Sequence, residues 1–126
     1  HCDLVTCIEY HSHLRRIFTV SRDNYMTAFR IRKDGKMERL LTLCMKGFVG
    51  LWGIKLVLEL NVLIIQGENN FLELWNPVTY KRQGRINSAA NGFRSEIFYI
   101  NSIGLVVGAS YSGSLCLFDP IKKQEV

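Results

Sequence analysis

Apolar residues fall in short runs broken by turn-forming residues, and in several runs they alternate with polar ones. In "YMTAFRI", Tyr25, Thr27, Phe29 and Ile31 share one face, and Met26, Ala28 and Arg30 the other. A period of two is the mark of a β-strand. Three stretches align: "FTVSRDNYMTAFRI" (Phe18–Ile31), "IIQGENNFLELWNP" (Ile64–Pro77) and "VVGASYSGSLCLFD" (Val106–Asp119). Each has an apolar run, a small residue (Ser21, Gly67, Ser110), one variable residue and a turn former (Asp23, Asn69, Ser112). An aromatic follows six positions later: Phe29, Trp75 or Phe118, 46 and 43 residues apart. Each unit predicts a strand, a tight turn and a second strand. The turn dipeptides "DN", "NN" and "SG" tolerate left-handed backbone or bond their own main chain.

A further strand is predicted before each pair: Val5–His11, Ile54–Leu60 and Ser95–Ile100. A more polar one follows: Lys36–Leu43, Tyr80–Ile86 and Lys122–Val126. Turn signals "KDG", "NP" and "DP" separate them. "MERLLTLCM" could form a helical turn, but its place in the repeat favours a strand. The expected architecture is all-β, in three units over residues 1–46, 47–88 and 89–126.

Four strands per unit and a period near 43 resemble the WD-repeat β-propeller family. "SYSGSLCLFD" follows that family's blade ending with Ser112 for Asp and Phe118 for Trp. "GENNFLELWN" keeps Trp75, with Asn76 for Asp. "SRDNYMTAFR" keeps Asp23 but ends in Phe29 and Arg30. "HCDLV" resembles the loop before the first strand. The resemblance implies three four-stranded antiparallel blades of an incomplete ring, because propellers have about four to eight. It also implies a scaffold that binds other proteins in a larger intracellular assembly, with cytoplasmic, cytoskeletal and ciliary settings among those the family occupies. The chain is therefore expected to be a fragment of a larger propeller, or one completed by another chain. In the family, the residue before the turn Asp lies where partners bind; the matching positions are Arg22, Glu68 and Tyr111. A buried set of His1, Thr19 or Ser21, and Asp23 would be incomplete, since Phe29 has no indole N–H.

Charge adds a second candidate surface. Residues 1–46 hold nine Lys/Arg against five acids, whereas residues 89–126 balance at three each. The basic patch comprises Arg15, Arg16, Arg30, Arg32 and Lys33, and the alternative function is nucleic-acid binding through it. No aromatic-interleaved binding motif accompanies it.

Catalytic signals do not assemble. "GASYSG" approaches a nucleophile elbow, but Ser112 stands two after Ser110 and Gly113 comes one too late. A phosphate loop would need Gly-Lys-Ser/Thr before a helix. His1, Cys2, Cys7, His11 and His13 are close in sequence, but without C-x-x-C or H-x-x-x-H spacing. No catalytic residue, metal or cofactor is assigned, and the chain is expected not to be an enzyme. Its four cysteines form no compact disulfide framework, so reduced thiols are expected. The most apolar run, Ile54–Ile65, is too short and too charged to span a bilayer. Trp52 is expected in the connection between the first two units, as a packing residue or a partner anchor.

Overall fold

A computed structural model describes residues 3–88, 97–110 and 113–126. Among these residues there is no helix; twelve strands form three four-stranded sheets. The first sheet holds β1 (Val5–His11), β2 (Arg16–Ser21), β3 (Tyr25–Ile31) and β4 (Met37–Cys44). The second holds β5 (Leu51–Val57), β6 (Val62–Gly67), β7 (Phe71–Trp75) and β8 (Arg82–Asn87). The third holds β9 (Phe98–Ile100), β10 (Leu105–Ala109), β11 (Leu115–Asp119) and β12 (Gln124–Glu125). Within each sheet the strands pair antiparallel in chain order, and no sheet closes on itself.

The repeat extends to the backbone. Left-handed residues recur in the turn after each first strand: Arg15 (φ 53°), Asn61 (51°) and Gly104 (67°). They recur before each fourth strand at Gly35 (83°), Tyr80 (58°) and Lys123 (56°). In the latter turns a side-chain carboxyl or amide oxygen accepts main-chain N–H bonds. Asn76 Oδ1 accepts from Val78 and Thr79 (2.8 and 3.0 Å), and Asp119 Oδ1 from Ile121 and Lys122 (both 2.9 Å). These are the "NP" and "DP" signals, acting as Asx turns. The pairing also shifts at matching places, between Val5 and Cys7 and between Leu51 and Gly53.

Two cores lie between the sheets. Phe18, Val20, Met26 and Ala28 of the first sheet pack with Leu51, Ile54, Leu63 and Ile65 of the second. Val62, Ile64, Leu72 and Leu74 of the second pack with Ile97, Val106 and Phe118 on the third side. β6 is buried at all six positions, its odd- and even-numbered side chains serving different cores. β1 lies against β5, β5 against β9, and β8 against β12. Thr6 Oγ1 donates to Leu51 O (2.9 Å) and Cys7 Sγ to Ile54 O (3.4 Å), fastening β1 to β5.

The strand expected over Ile54–Leu60 instead spans Leu51–Val57. A turn occupies Leu58–Asn61, with Leu60 N–H bonded to Val57 O (3.2 Å) and Asn61 left-handed. Leu58 and Leu60 keep the sequence apolar through this turn, which hides it from periodicity. Trp52 accordingly lies in β5, not in a connection. The strand expected over Ser95–Ile100 is seen as Phe98–Ile100; Ser95 and Glu96 fall outside the described residues.

Candidate functional site

Trp52 joins two of the sequence-derived partner positions. Arg22 follows β2 and Glu68 follows β6, so both stand at the end of their sheets where the second strand turns into the third. The half-buried Trp52 indole donates from Nε1 to Glu68 Oε1 (3.1 Å), and the Arg22 guanidinium carbon lies 5.6 Å from the ring centre. An aromatic ring between a cation and an anion offers stacking, cation–π attraction and charge-assisted bonding in one place. Tyr111, the third expected position, lies outside the described residues, as do His1 and Cys2.

The loop before Trp52 is held from both sides by turn asparagines. Asn24 Oδ1 accepts from Gly50 N–H (2.5 Å) and its amide donates to Phe48 O (2.9 Å). Asn69 Oδ1 accepts from Val49 N–H (2.7 Å) and its amide donates to Gly47 O (3.0 Å). Phe48 and Phe71 pack beneath, with ring centres 4.8 Å apart. These contacts fix the backbone that leads into Trp52.

Of the basic patch, Arg15, Arg30, Arg32 and Lys33 surround one hollow at the opposite end of the first sheet. Arg16 turns away: it donates to Pro77 O (3.0 Å) and lies over the Tyr80 ring (5.5 Å), linking the first two sheets. The Tyr80 hydroxyl is buried without a hydrogen-bond partner among the described residues. Burial pushes this phenol above its ordinary pKa, with Arg16 partly offsetting the rise. Tyr80→Phe is therefore expected to be neutral or to stabilise by up to about 1 kcal/mol, since it removes a desolvated hydroxyl that bonds to nothing. Urea denaturation tests this; a loss of stability would contradict it.

Sequence reasoning missed Glu73. Its carboxylate, 2% exposed, accepts from Trp75 Nε1 (3.2 Å), Arg82 (3.1 Å) and Arg85 (2.8 Å). Arg85 also covers the Phe71 ring at 3.9 Å. The available signal was an acid within the apolar strand "FLELW", with two arginines on the next strand. Glu73→Ala strands the Trp75 donor and two cations. The expected cost is about 2 kcal/mol rather than the 3–5 of a fully buried pair, because both arginines reach solvent. Glu73→Gln, which retains acceptors, should lose less; equal losses would show that charge and not hydrogen bonding dominates.

Within the N-terminal Cys/His group, Cys7 and His11 serve structure. Cys7, Glu9 and His11 do share a side of β1, and all three turn to the second sheet: Cys7 to Ile54 O, Glu9 to Lys55 (3.6 Å) and His11 Nε2 to Asn61 Oδ1 (3.1 Å). Leu14 N–H donates to His11 Nδ1, so both ring nitrogens are engaged and Nε2 carries the proton. Among the described residues, no three His, Cys, Asp or Glu side chains could hold a metal ion together. No described helix is long and apolar enough to cross a membrane. Burial, the Glu125 carboxylate and, in the opposite sense, a Ser88 hydrogen bond act on Cys116, with the net effect of raising its thiol pKa. A thiol so shifted is a poor nucleophile near neutrality.

No protein-family model matches the chain, and neither does any curated protein.

Proposed function

We propose that the chain is a three-blade segment of a WD-repeat β-propeller and acts as a non-catalytic scaffold for other proteins. The observation that carries this is the convergence of Arg22, Trp52 and Glu68 at one end of two adjacent sheets, on a loop held by Asn24 and Asn69. Support for the blade assignment comes from three sheets of one strand order with left-handed turns in register, and from first strands that contact one another. The outward faces of the first and third sheets expose Ile8 (63%) and Leu115 (77%), where neighbouring blades would pack. The proposed setting is an intracellular assembly.

The test places a photo-crosslinking residue at position 22 of the full-length gene product in cells, with and without Trp52→Ala. Discrete protein adducts that fall at least about tenfold with Trp52→Ala are expected, as for an aromatic hot spot. Adducts unchanged by the substitution would remove this end of the sheets as the contact. Nucleic-acid binding through the first sheet is the alternative; adducts sensitive to nuclease would favour it.

A further inference from the structure

The other end of the first sheet carries a second feature. In an antiparallel sheet the β1–β2 and β3–β4 turns share one end and the β2–β3 turn lies at the other. Arg15, in the first of these turns, therefore stands beside Arg30–Asp34, at the end of β3 and the turn after it. The main chain ties them: Ile31 N–H bonds Arg15 O (3.0 Å) and Arg32 N–H bonds Lys36 O (2.8 Å). Between them is a hollow of about 520 Å³, lined by Leu14, Arg15, Arg30, Ile31, Arg32, Lys33 and Asp34. Leu14 and Ile31 are half-buried and supply an apolar floor.

The charges around it are not equivalent. Arg30 is engaged by Glu38 (2.6 Å) and Arg32 by Asp34 (3.5 Å). Arg15 and Lys33 are exposed and enter no ion pair among the described residues. Two available cations over an apolar floor match a ligand with two separated anionic groups and an apolar group between them. We infer that this hollow docks a short acidic segment of a partner protein, its carboxylates on Arg15 and Lys33 and one apolar side chain on Leu14 and Ile31. A nucleic acid fits less well. No aromatic among the described residues lines the hollow for base stacking, and the cations ring a compact depression where a strand of phosphates needs a track. This site lies a full strand length, roughly 20 Å, from Trp52, and it stands whether or not the Trp52 cluster binds a partner.

Titration of the full-length gene product with the peptide Ac-Glu-Glu-Leu-Glu-Glu-NH2, followed by amide NMR shifts, tests the inference. Shifts confined to residues 14–15 and 30–34 are expected, with a Kd on the order of 0.1–1 mM. The double variant Arg15→Gln/Lys33→Gln should weaken binding about tenfold or more, and replacing the peptide's Leu by Gly about tenfold. Both substituted positions are exposed, and far-UV circular dichroism checks that the fold survives. Trp52→Ala should leave this binding unchanged, which separates failure here from failure of the proposed function. No shifts at 2 mM peptide, shifts elsewhere, or binding indifferent to the double variant would each overturn the inference. So would a decathymidylate that shifts residues 14–15 and 30–34 where the peptide does not.

Discussion

Gly67→Val is expected to destabilise the chain by about 3 kcal/mol, at the upper end of overpacking effects. Even a single Cβ at Gly67 would stand 2.5 Å from Gly50 O and 2.7 Å from the Phe48 ring. The first obstacle is backbone, and it is not free to move: Gly50 O accepts from Glu68 N–H (3.2 Å), and Gly50 N–H donates to Asn24. A larger side chain must therefore push the 47–50 loop off its asparagine clamps. The effect should read as a fall in Tm of about 4 °C per kcal/mol for a chain of this size. Because the loop leads into β5, Trp52 should also lose its fixed setting, visible as a shift in indole fluorescence. A variant with wild-type Tm and wild-type emission would mean the loop adapts, and would refute the clamp.

The second large effect concerns the middle of the molecule. Ile64→Ala and Ile65→Ala should each cost about 3–4 kcal/mol, the usual range for emptying a close-packed aliphatic site. Both residues are 0% exposed and adjacent in β6, but Ile65 belongs to the core shared with the first sheet and Ile64 to that shared with the third. If the two cores are energetically separate, the double variant should lose the sum of the single losses within about 0.5 kcal/mol. A shortfall well beyond that in guanidinium melts would mean that β6 transmits strain between its two faces.

The sequence carried the strand inventory well wherever turn chemistry and alternation agreed. β1 and β3 fall where "VTCIEYH" and "YMTAFRI" place them. Agreement failed at Leu58–Asn61, where an apolar turn looks like more strand, and β5 was displaced by three residues. The rule that a small residue precedes each turn was legible, but its cause was not. Ser21 is small because its hydroxyl accepts from Asp23 N–H (3.3 Å), Ser110 because its hydroxyl accepts from Ser114 N–H (3.2 Å), and Gly67 because a loop lies against it.

The candidate site was half legible. Arg22 and Glu68 were singled out only through the resemblance to WD repeats, and their meeting at Trp52 depends on how two sheets pack, which no single repeat encodes. The basic patch was legible as composition. That Arg16 leaves it for Pro77 and Tyr80 is a contact between sheets and has no local signal.

The left-handed turn at Arg15 has a consequence for what the first sheet gives up. At the two equivalent positions the chain uses Asn61 and Gly104, the residue types that tolerate this backbone best. Arginine there carries about 1 kcal/mol of conformational strain that glycine would relieve. The first of three matching turns thus forgoes stability that the other two keep, and it does so at a residue that lines the basic hollow. Strain retained at one copy of a repeated turn marks the copy in which the side chain matters more than the fold.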